Sequence, residues 1–139
     1  MKKNKVLIAN LCLFSWFGLD MVGFNINGNI LVSSAWKDDG IYFIIYSIIL
    51  ILFIFYEKVG KNLLLISLSI WFITQFLSHE YYTLFGGGEK KIDYFSNTIK
   101  LFKSSTLYIP DLYHIVLHLL IIISLFYLII YIRKSKILK

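Results

Sequence analysis

The chain of 139 residues has one cysteine, one proline and only eight acidic residues. A lone Cys12, set in an apolar run, cannot staple the chain to itself, so a disulfide framework is excluded and Cys12 reads as a small packing residue. No Walker loop, CxxC, HExxH or GxSxG motif occurs, and there is no internal repeat or low-complexity tail. Charged residues make up only 16%, against about 25% in an average soluble domain. Apolar residues reach 58%, concentrated in long Ile, Leu and Phe runs that a soluble chain of this size could not cover. The net charge of +6 does not indicate nucleic acid, because the basic residues are divided between the ends and the loops.

The runs predict an all-α integral membrane protein: one four-helix transmembrane bundle over 1–139, with a small extracytoplasmic cap. The expected spans are about 6–24, 41–56, 63–78 and 112–132, separated by outer loops 25–40 and 80–110. Spans two and three fall short of the roughly 17–25 residues a crossing takes, so Glu57, Lys58 and Lys61 are expected to snorkel. The linker Glu57–Lys61 reads as a hairpin turn that makes those spans antiparallel neighbours. The basic start Met1–Lys5 resembles the head of a signal peptide, but the apolar stretch is long and no small-x-small site follows closely. The first span is therefore expected to remain on the protein. Paired loop cysteines, as in claudin-like four-span proteins, are missing, and so is the first-span glutamate of small multidrug exporters.

Lysine and arginine set the direction. With the N-terminus inside, nine basic residues fall on cytoplasmic segments: Lys2, Lys3, Lys5, Lys58, Lys61, Arg133, Lys134, Lys136 and Lys139. Five fall outside, namely Lys37, Lys90, Lys91, Lys100 and Lys103. Both ends are thus expected in the cytoplasm, with the chain in the plasma (inner) membrane. Asp20, Asp38, Asp39, Glu80, Glu89, Asp93 and Asp111 then lie at the outer face, with only Glu57 inside. In the first loop, Asn27-Gly28 signals a turn beside the β-prone Ile30–Val32. In the second, Gly86–Gly88 reads as a hinge. Ile92, Phe95, Ile99 and Phe102 then recur at helical spacing beside Lys100 and Lys103, which predicts an amphipathic helix in the membrane interface. Pro110 is expected in the first turn of span four.

This topology brings the three histidines and three acids to one layer: His79, Glu80, Asp111, His114, His118 and Asp20. Asp111, His114 and His118 share a helical face. Histidines at i and i+4 can hold a divalent metal or a haem, with His79 as a further nitrogen ligand, or can relay protons. The same residues also have structural readings. Asp111 suits a helix N-terminus and can simply pair with His114, and His118 can bond a neighbouring helix. A polar stripe on span three, Ser67, Thr74, Gln75 and Ser78 with Trp71, suits helix–helix hydrogen bonding. Tyr81, Tyr82, Tyr94, Tyr108 and Tyr113 crowd the outer boundary as an aromatic belt. No span has a charge at mid-depth, which argues against a proton pump.

The leading expectation is a non-enzymatic, homo-oligomeric channel or transport-type protein with a polar His/acid outer vestibule. One alternative is a metal- or haem-binding membrane enzyme using His79, His114 and His118. Another is an accessory, sensing or immunity subunit bound to a partner membrane protein. The expected surroundings are the lipid bilayer and other membrane chains, not nucleic acid.

Overall fold

The computed structural model describes residues 2–137. Met1, Leu138 and Lys139 lie outside the described residues, and so does the expected cytoplasmic placement of Lys139. Four helical segments are long and apolar enough to cross a membrane. Helix α1 runs Lys3–Val22. A β-hairpin follows, with β1 at Phe24–Ile26 and β2 at Asn29–Val32. Helix α2 is Trp36–Phe55 and α3 is Glu57–Ser78. The short α4, Glu80–Phe85, extends α3 past His79 into a near-continuous segment of 29 residues. Helix α5 is Glu89–Tyr94, and α6 is Leu112–Ile137.

The spans pack in a closed ring, α1 against α2 and α6, and α3 against α2 and α6. Inside it, Leu13, Phe17, Tyr46, Phe53, Leu64, Leu68, Trp71, Leu117, Ile121 and Leu128 are buried. Outside it, Ile44, Ile48, Ile51, Ile66, Ile70, Ile73, Ile122 and Phe126 are exposed. An apolar interior and an equally apolar exterior are what contact with a lipid bilayer requires.

Asn27-Gly28 forms the expected hairpin turn, with φ of 49° and 82°. Positive φ at both central positions matches the twist of paired strands. The turn returns the chain against α1, where the Ala35 amide donates to the Asp20 carbonyl at 2.8 Å. This seats the first turn of α2 beside the last turn of α1.

Four expectations about the backbone are corrected. Spans two and three are not short, because α2 and α3 have 20 and 22 residues. The acids Asp38, Asp39 and Glu57 that suggest loops lie in helical first turns, where the helix dipole favours negative charge. The linker Glu57–Lys61 is helical, and Tyr56 alone breaks α2 from α3. A break this tight depends on Gly60: a Cβ there would collide with the backbone of Leu52 and Phe53. The amphipathic helix over 92–102 does not form. Helix α5 ends at Tyr94, Thr98 Oγ1 donates to the Phe95 carbonyl at 2.8 Å, and the Ile99 amide donates to the Ile30 carbonyl of β2 at 2.9 Å. Strand pairing has replaced helix hydrogen bonds, and Phe95 and Ile99 turn toward the bundle while Phe102 is exposed. Pro110 lies before α6, not in its first turn, and Asp111 stands at the cap position.

Candidate functional site

At the hairpin end of the bundle, the end of α1, the start of α2, the end of α3, the second loop and the start of α6 enclose a cavity of about 440 Å³. Four aspartates line it: Asp20, Asp38, Asp39 and Asp111. His79, His114, Gln75, Ser78 and Lys91 complete most of the polar lining. The hairpin connection brings the Asp20 and Asp39 carboxyls close to each other. Among the described residues, no salt bridge joins Asp20, Asp38 or Asp39 to a basic side chain.

Asp111 is 1% exposed and is the best-held acid of the set. Its Oδ1 accepts the His114 backbone N–H at 3.0 Å, capping α6, and lies 2.7 Å from His114 Nδ1. Burial pushes the Asp111 carboxyl up, but the His114 hydrogen bonds and charge, with a contact from Thr98, hold it below the usual aspartate range. Lys91 reaches over the rings of Tyr82 and Tyr108, 5.6 and 5.8 Å from their centroids. Burial draws its ammonium pKa down. Burial also pushes the Tyr108 phenol up, reinforced by the charges of Asp111 and Glu80.

The three histidines gather as expected, but not around a point. The rings of His79 and His114 stack at 4.1 Å, and His118 stands edge-on to His79 at 5.5 Å. Each ring holds a different partner. His79 Nδ1 meets Tyr108 Oη at 2.5 Å, and His114 meets Asp111. His118 pairs through Nδ1 with Glu80 and through Nε2 with Gln75 Oε1 at 3.1 Å. Among the described residues, no three His, Cys, Asp or Glu side chains are arranged to hold a metal ion. The three rings stack instead of converging: His79 is held by Tyr108 of the second loop, His114 by Asp111 at its own helix cap, and His118 by Glu80 and Gln75 of the neighbouring helices.

The six candidate residues thus divide. Asp20, Asp111, His79 and His114 line the cavity, whereas Glu80 and His118 line a separate groove between α3 and α6. Gln75 borders both spaces and forms part of the wall between them. The polar stripe divides too. Ser67 Oγ lies 2.9 Å from Tyr42 Oη across helices, while Thr74 Oγ1 bonds its own helix at the Trp71 carbonyl and Ser78 faces the cavity. From the expected interfacial set, Phe95 borders the cavity, and Ile92, Lys100 and Lys103 line a shallower depression on the loop surface. Asp38, Asp39, Lys91 and Tyr108 belong to the site although their residue types alone did not single them out. The one local signal was Asp38-Asp39 directly before an apolar run, a pattern that suits the first turn of a helix.

One helical turn deeper, the interior of the bundle holds a layer of rings. Phe17 precedes Asp20 by three residues, Tyr42 follows Asp39 by three, and Trp71 precedes Gln75 by four. Phe17 and Tyr42 lie 4.7 and 4.9 Å from Trp71 by ring centroids, closing the interior of the bundle. Below them Tyr46 donates to the buried Asn10 Oδ1 at 2.8 Å, and Asn10 Nδ2 donates to the Val6 carbonyl, so this pair is satisfied. Comparison with protein-family models, with curated proteins and with solved structures finds no match.

Proposed function

We propose that the protein is a channel- or transport-type membrane protein that gathers cations in this aspartate-lined vestibule and works as an assembly of identical copies. The vestibule carries the proposal: four aspartates face a shared space with one lysine among them, and three of the four have no basic partner among the described residues. Fixed carboxylates around a low-dielectric mouth attract cations and repel anions. The Asp20–Asp39 contact is one that a bound cation or a shared proton would stabilise. Because the ring layer closes the single bundle, passage runs between copies, which is the reason for assembly.

The vestibule opens to the outer side, with both termini in the cytoplasm of the plasma (inner) membrane. Supporting this are Lys2, Lys3, Lys5, Lys58, Lys61, Arg133 and Lys134 at the opposite end of the bundle. A cysteine replacing Gly87 should react with an impermeant thiol reagent in intact cells, and one replacing Asn62, beside the α2–α3 break, should not. The reverse pattern overturns the orientation. For function, purified protein in liposomes should release rubidium faster than protein-free liposomes and release chloride no faster. Equal release of both ions, or none, removes the transport reading.

The closed ring layer favours a second reading, in which the vestibule binds cations without passing them and the chain serves as a sensing or accessory subunit. Saturable cation binding without flux selects it.

A further inference from the structure

We propose that the groove between α3 and α6 is a binding site for a membrane lipid with a primary ammonium headgroup, entered sideways from the bilayer. The groove holds about 240 Å³ and is bounded by Phe72, Phe76 and Ile122 along its length, with Gln75, Glu80 and His118 at one end. Ile122 is 47% exposed on the outer surface of the bundle, so the groove faces lipid and not the vestibule. Glu80 begins α4, just beyond the end of α3 and toward the outer end of the segment that runs from Glu57 to Phe85.

Glu80 identifies the headgroup. One carboxylate oxygen pairs with His118 Nδ1. The other, Oε2, is buried and has no hydrogen-bond partner among the described residues. A carboxylate oxygen removed from water without a donor is costly, and a charged donor is its best remedy. An ammonium supplies N–H donors of opposite charge. The apolar walls below suit the acyl chain of the same molecule, so one lipid satisfies both ends of the groove. A choline headgroup carries the same charge but has no N–H to donate. The site therefore separates phosphatidylethanolamine from phosphatidylcholine by hydrogen bonding and not by charge.

The inference stands apart from the vestibule, because Glu80 and His118 do not line that cavity. Its test is native mass spectrometry of the purified full chain supplied with equimolar phosphatidylethanolamine and phosphatidylcholine of matched chains. The wild type should retain the ethanolamine lipid about tenfold over the choline lipid, the scale of one charge-assisted hydrogen bond. Glu80→Gln should bring the two within about twofold of each other. Ile122→Trp, a change on the lipid-facing surface that leaves the bundle core untouched, should lower retention of the ethanolamine lipid by filling the groove. Equal retention of both lipids by the wild type, an undiminished preference in Glu80→Gln, or unchanged retention in Ile122→Trp overturns the proposal. Rubidium flux through the same preparations reads the vestibule separately, so either proposal can fail alone.

Discussion

The two ends of the bundle use polar residues in opposite ways. At the end away from the hairpin, polar groups close the structure. Lys3 Nζ donates to the Ile54 carbonyl at 2.9 Å and lies 3.6 Å from Glu57 Oε2, while Tyr131 donates to Glu57 Oε1 at 2.5 Å. Four helices are joined by one small network. At the hairpin end the aspartates surround space, and three of the four have no basic partner among the described residues. Paired charge draws helices together, whereas like charge left facing a cavity keeps it hydrated and selective. On the proposed reading, the contrast puts function at the hairpin end and stability at the other.

The closed end should break first. Gly60→Leu places a side chain into the Phe53 backbone and should lower stability by about 3 kcal/mol, read as thermal unfolding in detergent. Gly18→Ala is the control, since a Cβ there finds only the Phe43 ring at 4.0 Å and should change little. A midpoint for Gly60→Leu equal to that of the control would remove the close approach from the account.

Asp111 is the exception at the open end, because it holds structure. Asp111→Ala loses the α6 cap and the His114 partner and should destabilise by about 2 kcal/mol, with Asp111→Asn nearer to about 1 kcal/mol. The folded carboxyl lies below its unfolded value. Its contribution is therefore complete above the ordinary aspartate pKa of about 4 and fades as pH falls through the lower folded value. Wild type should lose stability on acidification in that window, and the Ala variant should lose less. An identical acid response in both would place the loss elsewhere.

Glu57→Ala should destabilise by about 1 kcal/mol, since Lys3 and Glu57 remain 29% and 40% exposed and solvent screens the pair. A loss of about 3 kcal/mol or more would mean that this network holds the bundle more tightly than its exposure allows.

Much of this contrast is legible in the sequence. Four apolar runs, the Asn27-Gly28 turn and the gathering of three histidines in one layer follow from local pattern and from the lysine count. The rest depends on tertiary placement. Asp39 joins Asp20 only because the hairpin folds α2 back onto α1. Ile92, Phe95, Ile99 and Phe102 carry a helical period, yet the Ile30 carbonyl takes the Ile99 amide and the helix stops at Tyr94. The spacing of His114 and His118 permits a shared metal, but their bonds to Asp111, Glu80 and Gln75 assign each ring separately. Spacing along one helix cannot report which acceptors the neighbouring helices bring.

The most direct test neutralises each end in turn and measures rubidium release from liposomes. Asp38→Asn with Asp39→Asn removes two vestibule carboxylates that have no basic partner among the described residues, and Lys58→Gln with Lys61→Gln removes charge from the opposite end. The account predicts that the aspartate pair lowers rubidium release at least severalfold while lowering stability by no more than about 1 kcal/mol, the scale of losing charge at the first turn of α2. The lysine pair should leave release within about twofold of wild type. Undiminished release from the aspartate variant, or an equal loss from the lysine variant, would contradict the assignment of the vestibule as the functional end.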